Sequence, residues 1–218
     1  MSRVSFSDNK SLSKYNIFKG VFKRNKKLLA LSTAIFFLFL FIGVFAGYFS
    51  PDFIGKLLTE FSNELNSQVD ISTVSIFTHN IRTAFMAYAG GIIGIVTAVL
   101  LSINGFILGA FLGYFMHGGA INQSSVSPIV FISYIVPHGI FEIPALIIAS
   151  SAGFRLTSII IDLINSLRGK PYVNNDYRKF KDSLVLLAVA VILFAVAAVI
   201  EANFTASIGN YITGLNLH

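Results

Sequence analysis

The chain contains no cysteine and few charged residues, and each shortage excludes a class of sites or of proteins. Without cysteine it can form no disulfide framework, no cysteine-ligated zinc site and no thiol nucleophile. Charged residues make up 12% of the 218 positions, whereas an average soluble domain has roughly 25%. Hydrophobic residues make up 55%. A soluble fold of this length cannot bury so much apolar surface. We therefore predict an all-α, polytopic transmembrane helix bundle embedded in the lipid bilayer.

The positive charge is concentrated in two short segments. Eight of the 16 Lys and Arg residues lie within residues 3–27, and five more lie within residues 168–181. Both segments flank apolar runs, which is typical of cytoplasmic juxtamembrane segments and not of a nucleic-acid interface. We predict a basic cytoplasmic tail over 1–27, a basic cytoplasmic loop over 168–182, a location in the plasma membrane, and no nucleic-acid partner.

Hydropathy divides residues 28–204 into a bundle of about five crossings with the N-terminus inside. The first span, 28–49, has 22 residues and no charge, which exceeds the roughly 7–15 residues of a signal-peptide core. The other predicted spans are 81–101, a helix over 106–116 after a tight turn at Asn104 and Gly105, a crossing over 141–164, and 183–200. An external amphipathic segment, 51–70, and an external C-terminal tail, 205–218, complete the plan.

Glycines recur at four-residue spacing in the second and third predicted helices. Gly90 and Gly94 lie in one, and Gly105, Gly109 and Gly113 lie in the other. Such stripes let helix backbones approach closely in lipid, so we predict that these glycines pack helix against helix. A glycine-lined permeation path is the alternative. The same stripes can also mediate self-association, so a homo-oligomer is compatible with either interpretation.

Residues 127–167 form an apolar segment of about 40 residues, twice the length of a single span. Pro137, Gly139 and Pro144 interrupt it, and proline removes a backbone donor from a helix. We predict a broken segment, with a re-entrant half-helix followed by the true crossing. One net crossing keeps the basic loop 168–182 on the cytoplasmic side.

Few polar side chains lie in the apolar segments, where each is costly. The candidate polar cluster consists of Asn80, Arg82, His138, Glu142 and Arg155. His138 and Glu142 are four residues apart and share a helix face. We interpret the cluster first as an Arg82–Glu142 ion pair that ties two helices together. A proton or ion relay through Glu142 and His138 is an alternative, and two ligands without a third do not predict a metal site.

Catalytic and cofactor-binding motifs are missing from the sequence. It has no His-Glu-x-x-His run for a membrane zinc protease and no Gly-x-Ser-x-Gly nucleophile elbow. It also has no Gly-x-x-x-x-Gly-Lys loop that would hold a phosphate. We therefore expect neither enzymatic activity nor a cofactor.

One run has a specific resemblance. Residues 137–145 read Pro-His-Gly-Ile-Phe-Glu-Ile-Pro-Ala, and 152–156 read Ala-Gly-Phe-Arg-Leu. With Phe-Thr-His-Asn at 77–80 and the glycines that follow, this order resembles the stage II sporulation protein M family of bacterial and archaeal membrane proteins. The resemblance implies a membrane scaffold, which in spore formers holds peptidoglycan-degrading enzymes together during engulfment of the forespore. We therefore expect an integral membrane scaffold that organises partner proteins in a membrane complex. The alternative is a small transporter or channel that uses the His/Glu/Arg cluster.

Overall fold

A computed structural model describes residues 20–66, 73–121, 124–125, 127–169 and 176–215. Over these residues the chain forms seven α-helices and one short β-hairpin. They are α1 (Val21–Phe49), α2 (Pro51–Asn66), α3 (Thr73–Ala89), α4 (Ile95–Met116), β1 (Ala120–Ile121), β2 (Ser124–Ser125), α5 (Pro128–Leu167), α6 (Asp176–Ile200) and α7 (Ala206–Leu215). The predicted all-α class is confirmed. Most of the tail 1–27, the end of segment 51–70, the middle of loop 168–182 and the end of tail 205–218 lie outside the described residues.

Helices α1 and α4 run parallel and interlock through glycine. A Cβ atom placed on Gly109 would collide with the carbonyl oxygen of Leu40, and one on Gly113 would collide with that of Val44. The fit is mutual, because a Cβ atom on Gly43 of α1 would collide with the carbonyl oxygen of Phe106. Gly105 lies in the same stripe, against Phe36. The stripe on α4 therefore holds a neighbouring backbone at van der Waals distance.

Four helical stretches are long and apolar enough to cross a membrane: α1, α4, α5 and the stretch Tyr177–Thr205. Because α1 and α4 run in the same direction, the chain must return between them, and α3 makes this return. Helix α3 runs alongside α5, with Asn80 beside Glu142 and Gly91 against Gly153. The chain thus traverses the bundle five times in alternating directions.

The predicted turn at Asn104 and Gly105 is wrong, and so is the continuous span 81–101. Both residues lie inside α4, where Asn104 Nδ2 donates to Leu100 O at 2.8 Å. The chain turns earlier, through a 3-10 turn at Gly90–Ile92 and through Gly94, whose φ of +74° is left-handed. Asn-Gly stays helical here because the asparagine amide bonds within its own helix and Gly105 is needed for contact with α1.

Two threonine hydroxyls satisfy backbone oxygens around this turn. Thr97 Oγ1 donates to Ala87 O at 2.7 Å, and Thr157 Oγ1 donates to Gly91 O at 2.6 Å. Non-helical backbone among apolar helices needs such partners, since lipid offers none. Gly91 lies directly on the backbone of Gly153, so the glycine side of the turn packs against α5, whereas Ile92 and Ile93 are exposed.

The predicted broken segment is also wrong, because α5 is one continuous helix of 40 residues. It begins at Pro128 and is capped by Ser127, whose Oγ accepts from Val130 N. Pro137, Gly139 and Pro144 lie inside it. Each proline removes one backbone donor, which packed transmembrane helices tolerate. At 1.5 Å per residue α5 is about 60 Å long, and its excess length packs against α7, where Tyr134 Oη donates to Asn210 Oδ1 at 2.7 Å.

The glycine contact between α1 and α4 can be tested by adding a single methyl group. Gly109→Ala places a Cβ atom against backbone that cannot yield, so we expect the free energy of unfolding to fall by about 1–3 kcal/mol. Thermal unfolding in mild detergent measures the change. Gly214→Ala is the matched control, because a Cβ atom there meets nothing within 4 Å. Equal melting temperatures for the two variants would contradict the described packing.

Candidate functional site

A network of buried polar side chains joins α1, α5 and α6 at one end of the bundle, called here the basic end because Lys23, Lys26 and Lys27 lie beside it. Asp182 is its centre and is 3% exposed. Arg24 donates to Asp182 through Nε at 2.8 Å and through Nη2 at 2.6 Å, and this two-point geometry is the strongest form of an Arg–carboxylate pair. Asn25, fully buried, donates to Asp182 Oδ2 at 3.3 Å.

Arg155 belongs to this network. Its Nε donates to Asn25 Oδ1 at 2.6 Å and its Nη2 donates to Arg24 O at 3.1 Å. The sequence interpretation grouped Arg155 with His138 and Glu142, and that grouping is wrong. In a continuous helix the separation of 13 positions from Glu142 to Arg155 corresponds to about 20 Å, which places the two side chains toward opposite ends of the bundle.

The sequence predictions do not identify the other partners of this network. Arg24 and Asn25 lie in the predicted basic tail 1–27, and Asp182 lies in the predicted basic loop 168–182. A usable signal was present, since Asp182 is an acidic residue directly before an apolar run and Asn25 is a neutral residue among lysines. Polar residues at the starts of two spans lie at similar depth when both spans begin at the same face of the bilayer.

A second polar cluster lies toward the opposite end, called here the far end. Asn80 of α3 is 8% exposed and donates from Nδ2 to Glu142 Oε1 at 2.5 Å. One turn earlier on α5, His138 Nδ1 lies 3.3 Å from Thr205 Oγ1. Glu201 interacts electrostatically with Glu142. His138 and Glu142 therefore share a face, as their four-residue spacing predicts, and that face meets both α3 and the end of α6.

A π-helical turn shapes this far cluster. Residues Glu201–Thr205 follow α6 directly and form the π-helix. The hydroxyl of Thr205 donates back to Ile200 O at 3.4 Å, five residues earlier. Single π-turns often mark functional sites because the extra residue redirects a side chain. Here the turn holds Thr205 next to His138 and places Glu201 within electrostatic range of Glu142.

The predicted Arg82–Glu142 ion pair is not formed. Within the described part of the chain, carboxylates pair with Arg24 and Lys179 only, and Arg82 is exposed. Asn80 occupies the expected place of Arg82. Residues two apart point to nearly opposite sides of a helix, so only one of Asn80 and Arg82 can face Glu142.

The chemistry available at the far cluster is proton exchange and hydrogen bonding. The Glu142 carboxylate accepts from the buried Asn80 amide, and the His138 imidazole lies next to the Thr205 hydroxyl. Carboxyl and imidazole groups are the kinds of side chain in this cluster that exchange protons. Among the described residues no group of three or more His, Asp or Glu side chains is arranged to hold a metal ion.

The fold and its apolar outer surface define an α-helical integral membrane protein. Residues 32–206 match the family model of stage II sporulation protein M. Two uncharacterized proteins of Methanocaldococcus jannaschii are similar to the chain. One is 30% identical over 172 residues, covering 78% of this chain and 92% of the relative. The other is 30% identical over 195 residues, covering 84% and 83%. No solved structure matches the chain. The protein belongs to the stage II sporulation protein M family.

Replacement of Glu142 tests the far cluster. Glu142→Leu leaves the buried Asn80 amide without an acceptor, and we expect it to lower the free energy of unfolding by about 1–3 kcal/mol. Glu142→Gln keeps an oxygen in place and should cost much less. In a double-mutant cycle with Asn80→Leu, thermal unfolding should show that the two losses are not additive. Arg82→Gln is the control. If Arg82→Gln lowered the free energy of unfolding as much as Glu142→Leu does, the result would support the Arg82–Glu142 ion pair and contradict the contact between Asn80 and Glu142.

Replacement of Asp182 tests the basic-end network. Asp182→Asn removes the charge that Arg24 and Asn25 contact. Because Asp182 is buried and Arg24 is partly exposed, the loss should fall between the roughly 0.2–1 kcal/mol of a surface pair and the roughly 3–5 kcal/mol of a buried one. Asp162→Asn, which breaks the more exposed pair with Lys179, is the matched control, and thermal unfolding compares the two. Equal losses would mean that the network adds nothing beyond an ordinary surface ion pair.

Proposed function

We propose that the protein is a non-enzymatic scaffold of the plasma membrane that binds a partner protein at the far end of its bundle. Membership of the stage II sporulation protein M family supports the scaffold role. The observation that carries the proposal is a cleft at the far end, between α2 and the last turn of α4.

The distribution of charge sets the proposed orientation. The basic end carries Lys23, Lys26 and Lys27 at the start of α1 and Arg178, Lys179 and Lys181 at the start of α6. Loops and helix ends with such an excess of Lys and Arg face the cytoplasm. The far end then lies on the opposite side of the membrane, where α2 and the β-hairpin are available to an extracytoplasmic protein.

Helix α2 forms one wall of the cleft, which has a volume of 620 Å³. Ile54 is 2% exposed and anchors α2 on the bundle, whereas Phe53 is 62% exposed. The cleft is lined by Pro51, Asp52, Gly55, Lys56, Thr59, Glu60, Tyr114, His117, Gly118, Gly119 and Ala120. Exposed aromatic side chains are common in protein-binding surfaces, and Phe53 lies on the helix that forms this wall of the open cleft.

The charges in the cleft favour a polypeptide as its occupant. Asp52, Lys56 and Glu60 follow one another at four-residue spacing, so acidic, basic and acidic side chains form a row along one face of α2. Alternating charges of this kind select a partner with the complementary pattern and fix its register. Phe53 and Leu57 form an adjacent apolar row, with Leu57 43% exposed, which supplies contact area.

Transport is the weaker alternative. The transport hypothesis requires a break in the segment 127–167, but α5 is continuous through Pro137 and Pro144. The glycine stripe on α4, which could have lined a path, instead contacts the backbone of α1. Both features support a closed bundle that serves as a platform.

Substitution on α2 tests the proposed partner surface. Tagged protein purified from its host in mild detergent should retain a stoichiometric partner that mass spectrometry identifies and that binds again after separate purification. Phe53→Ser should weaken this binding at least roughly tenfold, the usual effect of removing an interfacial aromatic. Val74→Ser, another exposed apolar residue, is 73% exposed on α3 and should leave binding unchanged.

Two results would contradict the scaffold proposal. One is a homogeneous preparation without a partner, combined with ion or proton flux in liposomes that Glu142→Gln abolishes, which would establish transport. The other is equal partner binding by Phe53→Ser and Val74→Ser, which would move the interface away from α2.

A further inference from the structure

Three arginines lie close together at the basic end. Arg155 of α5 donates from Nη2 to the backbone oxygen of Arg24 on α1 at 3.1 Å, and Arg24 pairs with Asp182 of α6. Arg178 lies one helical turn before Asp182 on α6 and contributes to the electrostatic environment of Arg155. We propose that this arginine cluster, defined as Arg24, Arg155 and Arg178, binds the phosphate group of an anionic lipid headgroup. The proposal is independent of the far-end cleft and of any partner protein.

The local charge balance is positive. Asp182 is engaged by Arg24 at 2.6 Å, and Asp162 is engaged by Lys179. Both carboxylates interact favourably with the charge of Arg155, whereas the charge of Arg178 repels it. Among the described side chains, Arg24, Arg155, Arg178 and Lys179 therefore face two carboxylates, an excess of two positive charges. An anion with one or two negative charges would balance it.

Arg155 is the centre of the proposed site because its charge lacks a directly bound carboxylate. Its two hydrogen bonds go to neutral acceptors, the Asn25 side-chain oxygen and the Arg24 carbonyl oxygen. The ion pairs found among the described residues involve Arg24 and Lys179 and not Arg155. A partly buried guanidinium is costly without a counter-charge, and it has five donors, more than these two bonds use.

A phosphate group suits this arrangement better than a carboxylate or a halide. The guanidinium is planar and donates to two phosphate oxygens at once. The contacts with Asn25 and the Arg24 backbone hold Arg155 in a fixed position, so little side-chain freedom is lost when an anion binds. Arg178 is exposed and can approach the same anion from the bulk side.

The position of the cluster indicates a lipid as the source of the phosphate. Apolar, exposed side chains begin directly beyond it toward the far end: Leu31 on α1 is 47% exposed and Leu184 on α6 is 42% exposed. The lysines Lys23, Lys26 and Lys27 lie on the same end of α1. A lipid headgroup meets both features, since its acyl chains contact the leucines and its phosphate lies at the level of the arginines.

The experiment uses the full-length protein, delipidated in mild detergent and titrated with phosphatidylglycerol or with phosphatidylcholine. Binding is measured by native mass spectrometry and by the rise in melting temperature. We expect saturable binding of phosphatidylglycerol and much weaker binding of phosphatidylcholine. Arg178→Gln should weaken phosphatidylglycerol binding roughly tenfold, as expected for the loss of one charged hydrogen bond. Arg155→Gln should weaken it further, and because it can also impair folding, the exposed Arg178 provides the main test.

Arg82→Gln is the matched control, since it removes the same charge from an exposed position at the far end. Equal weakening by Arg82→Gln and Arg178→Gln would show general attraction to a charged surface and would overturn the site. Unchanged affinity in Arg178→Gln and Arg155→Gln would overturn it as well. Inorganic phosphate gives the last comparison: if it binds as tightly as phosphatidylglycerol, the site takes a free anion and the lipid assignment is wrong.

Discussion

Direct contact between the backbones of α1 and α4 determines how the rest of the bundle is arranged. Gly105, Gly109 and Gly113 leave no room for side chains between the two helices, so the helices meet along their length and in parallel. Parallel neighbours in one chain require a return segment, and α3 provides it. That return ends in a turn among apolar helices, where Thr97 and Thr157 must supply hydrogen bonds that lipid cannot. The glycines bring α1 and α4 together in parallel, and the hydroxyls of Thr97 and Thr157 stabilise the turn that this parallel arrangement requires.

The polar clusters mark the two edges of the apolar layer. On α6 the run 183–200 separates Asp182 from Glu201 and contains no charged residue. At 1.5 Å per residue it spans about 27 Å, close to the roughly 30 Å of a bilayer core. Each cluster joins three segments by hydrogen bonds or charge, with Arg24, Asn25 and Arg155 around Asp182 at one edge. The helices are therefore held together by apolar and glycine contacts in the middle and by polar contacts at the ends.

The sequence predicts those features of the protein that the surrounding lipid imposes on the chain. Long apolar runs, the glycine spacing and the basic segments identify a helical membrane bundle, because lipid restricts the chain to a few solutions. Errors arose where local rules from soluble proteins were applied. Asn104 and Gly105 would form a turn in water, yet in the bundle the amide bonds to Leu100. Pro137 and Pro144 would break an exposed helix, yet α5 continues through them. These outcomes depend on neighbouring helices, which no local pattern contains.

The error about α5 also explains the error about Arg155. A break near Gly139 would have folded the segment back, and residues distant in sequence could then have met near Glu142. A continuous helix converts sequence separation directly into distance, so Arg155 must lie about 20 Å from Glu142, among the side chains that begin α1 and α6. The same continuity makes α5 a rigid link between the two ends. A headgroup held by Arg155 would act on this helix, whose position is fixed where Gly91 of the turn lies against Gly153.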